Sequence, residues 1–131
     1  AMCAQDYSAV TAACMMTKAE VFRQAGGFTE ELAVAFNDID YCMKVRALGK
    51  LVVYAPYAVM HHYESKSRGL EDTPEKVARF NREVAVFARR WPDILKAGDP
   101  YYNPNLTLRK SNFALRDLLK EKIGEPYKLE G

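Results

Sequence analysis

The sequence predicts an α/β fold made of a few short strands with flanking helices, and three observations predict it. Apolar runs of small or β-branched residues stand between breakers at 8–16, 51–54 and 58–62. Helix starts with recognisable capping chemistry occur at Thr17, at Asn37-Asp38 and at Thr73. Strand and helix alternate too few times for a complete doubly wound domain, so residues 1–131 read as one partial domain, the second half of something larger.

Taken in order, Ser8-Ala9-Val10-Thr11-Ala12-Ala13-Cys14-Met15-Met16 reads as a buried strand. Thr17 and Glu20 then form a capping box, with Met16 and Val21 at the two positions of a hydrophobic staple. The helix carries Val21, Phe22 and Ala25 and stops at Gly26-Gly27, where left-handed backbone is easily accommodated. Phe28 turns back toward the core and 29–36 form a loop. The next helix starts at Asn37 or Asp38 as N-cap, is mostly enclosed through Ile39, Cys42, Met43, Val45 and Leu48, and ends at Gly49.

Leu51-Val52-Val53-Tyr54 is a strand, Pro56 interrupts it, and Ala58-Val59-Met60-His61-His62 is a second. A polar loop over 63–73 leads to Thr73, which caps a further helix with Pro74 in its first turn. Val77, Phe80, Val84, Phe87 and Trp91 recur at three and four residues and form one apolar stripe, with Arg79, Arg82, Arg89 and Arg90 on a solvated face. Pro92 ends or kinks this helix. Residues 98–107 are extended and aromatic-rich between two prolines, a short amphipathic helix follows near 113–119, and the end of the chain is loose.

The totals exclude several classes. Apolar residues make up 49% and charged residues 27%, which argues against disorder. The balance of 19 basic against 17 acidic side chains is too even to argue for nucleic acid or an anionic membrane. Neither a transmembrane helix nor a secretory leader is expected. Cys3, Cys14 and Cys42, an odd number without CxxC spacing, read as reduced cytosolic thiols, Cys42 in the core.

Three constellations can carry chemistry. Asp38 and Asp40 are open to a metal pair, to capping with dipole complementarity, or to a single general base at Asp38 with Asn37 or Asp40 binding polar substrate groups. On a helix, residues two apart point to nearly opposite sides, which disfavours the metal pair. His61 and His62, adjacent on a strand, face opposite sides, so one packs while the other meets the polar loop. Ser65-Lys66-Ser67-Arg68-Gly69 offers hydroxyls, charge and a glycine, which suits a diphosphate as well as an ordinary surface loop.

Together these pieces resemble the acceptor-side half of family 2 glycosyltransferases of the GT-A fold. The matching runs are Val10-Thr11-Ala12-Ala13-Cys14-Met15-Met16, Glu20-Val21-Phe22, Gly26-Gly27-Phe28-Thr29-Glu30, Phe36-Asn37-Asp38-Ile39-Asp40-Tyr41-Cys42, then Gly49, Tyr54, Pro56, Ala58-Val59 and His62-Tyr63-Glu64-Ser65-Lys66-Ser67-Arg68-Gly69. Arg90-Trp91 and Asp99-Pro100-Tyr101-Tyr102-Asn103-Pro104-Asn105-Leu106 look like the tail of a bacterial subgroup. The resemblance covers about residues 8–107 and leaves 108–131 as a C-terminal helix and loose end. The family's nucleotide-binding half, with its metal-binding Asp-x-Asp, has no match here, and Asp38-Ile39-Asp40 does not stand in for it.

The resemblance implies roles. The family's Glu-Asp pair, whose aspartate is the catalytic base, falls on Asn37-Asp38, so Asp38 is the expected base. Asn37 and Asp40 are expected acceptor contacts. His62, Ser65, Lys66 and Arg68 are expected at the diphosphate, His62 also near a divalent cation, Mg or Mn. The implied reaction is inverting transfer of a sugar from a nucleotide-diphosphate donor to the hydroxyl of a glycan or lipid-linked acceptor. The implied setting is cell-surface polysaccharide assembly in the cytoplasm, at the inner face of the membrane, without nucleic acid. Alone, this chain is expected to be inactive and to self-associate through uncovered apolar surface. A non-catalytic glycan- or protein-binding module on the same fold, and a metal-dependent hydrolase built on the Asp/His set, are the competing readings.

Overall fold

The computed structural model describes residues 3–61, 73–110 and 112–121. Among them, the chain forms β1 (Gln5–Asp6), a 3-10 turn (Ala12–Cys14), α1 (Ala19–Gln24), α2 (Asn37–Ala47), β2 (Val53–Tyr54), α3 (Pro74–Arg90) and α4 (Pro92–Ala97). It is a small mixed fold, mostly helical, with two short strands. The chain divides into two compact units, Ala1–Arg90 and Trp91–Gly131.

In the first unit, β1 and β2 pair antiparallel, Gln5 opposite Tyr54 and Asp6 opposite Val53. Tyr7 N–H extends the ladder to the Val52 carbonyl at 2.9 Å, and the Tyr7 and Tyr54 rings meet edge-on. The core is built on α2. Tyr41, Cys42 and Val45 are buried with Val52, against Ala9, Val10, Met15, Val21, Phe22 and Ala25. The rings of Phe22, Phe28 and Tyr41 meet at centroid distances of 5.3 to 5.6 Å, so Phe28 turns back onto the rim of the core while staying 45% exposed. α2 is enclosed over 40–43 and at Val45, whereas Leu48 at its end is exposed, and Gly49 at φ 70 follows.

α1 stops where Gly26 and Gly27 take φ 75 and 66 and donate to the Arg23 and Phe22 carbonyls. This exit satisfies carbonyls that the helix would otherwise orphan. The start of α1 differs from expectation. Thr17 spends its hydroxyl on Tyr41 Oη, 2.8 Å away, instead of capping, and the helix begins at Ala19 with Lys18 as N-cap. Met16 is 98% exposed, so no staple forms. The start of α3 matches its sequence signature: Lys76 N–H donates to Thr73 Oγ1 at 3.4 Å, and Pro74 is the first helical residue.

Two expected strands are corrected. Residues 8–16 contain no strand, and two of their amides bond to side chains instead: Ala13 N–H donates to Thr11 Oγ1 and Ala12 N–H to the distant Asp38 Oδ2. Residues 58–61 are exposed and irregular. The Ala58 amide closes a turn onto the Ala55 carbonyl, so the second strand is not present among the described residues. His62 lies outside them.

In the second unit, Pro92 opens α4 after Trp91, as a proline at the first helical position should. The aromatic segment folds into turns. Tyr102 Oη donates to the Thr107 carbonyl at 3.0 Å, and Leu106 bridges Leu115. No helix forms over 113–119: Phe113 takes φ 55, and Leu115 is held in that bridge. Leu115, Leu118 and Leu119 are exposed.

Candidate functional site

The first turn of α2 holds two carboxylates with opposite surroundings. Phe36, at φ 63 and without a side-chain cap, is the N-cap, so neither Asn37 nor Asp38 caps the helix. Asn37 is the first helical residue, half-buried. Asp38 follows, also half-buried, where an acidic group complements the helix dipole.

Asp38 is oriented by two backbone amides. Ile39 N–H donates to Oδ1 at 2.9 Å and Ala12 N–H to Oδ2 at 3.1 Å. Among the described residues no cation pairs with it. The second of these bonds explains the 3-10 turn: its first amide reaches 26 residues along the chain to the carboxylate.

Asp40 is 0% exposed and saturated. Thr29 Oγ1 donates to its Oδ2 at 2.6 Å, Lys44 Nζ lies 3.2 Å from the same oxygen, and Arg90 Nε donates to Oδ1 at 2.7 Å. Lys44 also donates to Thr29 Oγ1 and the Gly27 carbonyl. A buried charge survives only when paired and hydrogen-bonded in this way. The expected acceptor contact at Asp40 therefore meets a carboxylate already enclosed by protein groups. Asp38 and Asp40 are also kept apart by their partners, one turned toward 11–14 and the other toward Thr29 and α3.

Sequence reasoning missed Glu83 and misread two arginines. Glu83 is 3% exposed, and its Oε2 accepts the Ala35 N–H at 2.6 Å. Arg79 lies 3.9 Å from its other oxygen, and Arg90 belongs to Asp40, so neither arginine is on a purely solvated face. The signal was available: Glu83 is three residues after Phe80 and four before Phe87, inside the apolar stripe.

Burial pushes the Cys42 thiol above its ordinary value of 9.0, and the negative charge of Asp38 adds to the shift. His61 is exposed. His62, Ser65, Lys66 and Arg68 lie outside the described residues. Among the described residues, no group of three or more His, Cys, Asp or Glu is placed to hold a metal ion. No helix among them is long and apolar enough to cross a membrane.

No family model matches the chain, and no solved structure does. Two longer proteins are similar to it. The uncharacterized protein y4gI of Sinorhizobium fredii is 57% identical over 112 residues, which is 85% of this chain and 12% of that protein. The O-antigen biosynthesis protein RfbC of Myxococcus xanthus is 36% identical over 112 residues, 86% of this chain and 8% of that protein. The chain thus spans about a tenth of the length of these relatives, and it is homologous to a small part of an O-antigen biosynthesis protein.

Proposed function

We propose that this chain supplies the acceptor side of an inverting family 2 glycosyltransferase of GT-A fold, with Asp38 as general base. The observation that carries the reading is the divergence of the two carboxylates of α2. Asp40 is neutralised and enclosed, while Asp38 is held by two amides and keeps a face free of any described cation. When two titratable groups have such different environments, the one left open is fitted to receive a proton. Similarity to an O-antigen biosynthesis protein supports a saccharide substrate.

In this reading, an acceptor hydroxyl approaches Asp38 and gives it the proton as the oxygen attacks the anomeric carbon. The bond to the diphosphate breaks on the opposite face, its electron pair leaves with the diphosphate, and the configuration inverts. General-base assistance of this kind is worth roughly two to four orders of magnitude. Asn37, beside the base, is the acceptor contact, and Asp40 belongs with the scaffold. The diphosphate of the nucleotide-sugar donor is assigned to His62, Ser65, Lys66 and Arg68 by the sequence resemblance alone. A divalent cation, Mg or Mn, would offset the charge on the departing group in the full-length enzyme.

Asp38→Asn in the full-length protein tests the reading. Assayed with uridine- and thymidine-diphosphate hexoses, the variant should lose roughly 100- to 10,000-fold in turnover and keep donor affinity. Unchanged turnover would exclude Asp38 as the base and favour a non-catalytic binding module.

A further inference from the structure

Four side chains on one face of α3 meet residues 35–40 at the start of α2, one through a backbone amide and three through side chains. Phe80, Glu83, Phe87 and Arg90 are spaced by three, four and three residues, which aligns them along the helix. The Phe36 ring lies stacked on Phe87 at 5.2 Å and tilted against Phe80 at 5.6 Å. Glu83 Oε2 accepts the Ala35 N–H at 2.6 Å, and Arg90 Nε donates to Asp40 at 2.7 Å. Asn37 and Asp38 lie between these gripped positions. Phe36 itself is left-handed, a conformation that a bulky residue keeps only when its surroundings impose it.

We infer that this stripe of α3 is a positioning clamp for Asp38, with Glu83 as its central residue. This rests on the reading of Asp38 as the base. Glu83 touches no reacting atom in this scheme. It holds the Ala35 amide with a short charge-assisted bond, which fixes the direction in which the chain enters α2. Phe80 and Phe87 fix the left-handed turn at Phe36, and Arg90 anchors the far side of the first turn through Asp40. A base displaced by about 1 Å loses on the order of a hundredfold in rate, so such a clamp has a kinetic consequence.

The test compares Glu83→Ala, Glu83→Gln and Asp38→Asn in the full-length protein. It reads amide hydrogen exchange over residues 35–47 and turnover of a uridine- and thymidine-diphosphate hexose panel. Glu83→Ala should speed exchange at 35–40 by about tenfold or more while 41–47 stay protected. Its turnover should fall roughly 10- to 100-fold with donor KM little changed. Glu83→Gln keeps an acceptor oxygen and should recover most of both. Unchanged exchange and turnover in Glu83→Ala would overturn the inference, as would a Gln variant as impaired as the Ala variant. Should Glu83→Ala not fold, Phe36→Gly keeps the left-handed backbone without the ring, and unchanged exchange over 35–40 there overturns the clamp. Loss of turnover in Asp38→Asn without loss in Glu83→Ala sinks the clamp alone. Full turnover in Asp38→Asn removes the base, and the clamp's purpose with it.

Discussion

Arg90 Nε lies 2.7 Å from Asp40 Oδ1, joining the last residue of α3 to the first turn of α2 across fifty positions of sequence. The carboxylate is fully buried, while the arginine side chain is 36% exposed. Breaking a buried pair from one side costs about 3–5 kcal/mol, less where the remaining partner is screened or a second cation stays. Lys44 stays in Arg90→Met, so that variant should lose about 1–2 kcal/mol. Lys44→Met added to it removes both ion pairs, and the total should reach about 3–5 kcal/mol. Urea unfolding of the three proteins measures this, and a double variant no worse than the single would contradict it.

The two glycines after α1 should not be equivalent. Both are left-handed, which costs an alanine about 1–2 kcal/mol. A Cβ on Gly26 meets open space, whereas one on Gly27 would stand 3.2 Å from Phe22 Cζ. Gly27→Ala should therefore destabilise more than Gly26→Ala, and thermal melts of the pair decide the matter.

Cys42 should make stability fall at alkaline pH. Its folded thiol titrates above the ordinary 9.0 because burial, then the charge of Asp38, disfavours the thiolate. The folded state therefore holds a proton that the unfolded state releases first. The contribution is fully present below pH 9.0 and is lost as pH rises toward the folded value. Cys42→Ala should flatten this part of the stability profile. Under native conditions at pH 8, a maleimide should modify exposed Cys3 and Cys14 and spare Cys42 until the chain is unfolded; simultaneous reaction of all three would argue against this placement.

Leu51, Val53, Tyr57, Val59 and Met60 are all exposed within ten residues of one another. Apolar surface of that kind drives association, so the isolated chain should form dimers or larger species. Light scattering across concentrations checks this, and a constant monomer mass at high concentration would refute it.

What the sequence disclosed was local chemistry. Thr73 with Pro74, the glycine pair after α1 and the apolar residues of α2 each act within a turn or two, and each holds in the structure. The strands expected at 8–16 and 58–62 depended on partners that composition does not supply. At 8–16 the amides turned instead to Thr11 and Asp38. Glu83 escaped notice despite its place within the apolar stripe, and Arg90 read as solvated, because a charged side chain on a helix is by default solvated. Their partners, 48 and 50 residues away, overturn that default. Asp38 could be picked out by motif, but its contrast with Asp40 could not, since two aspartates in one turn look alike until their neighbours are known.

The amides of Ala12 and Ile39 each occupy one oxygen of Asp38. With one lone pair on either oxygen already engaged, the carboxylate has a compass bearing: in the proposed reaction, an acceptor alcohol would come in from the side that neither N–H shadows. On that proposal the turn at 11–14 would be more than packing, because its first amide sets the heading left open at the carboxylate.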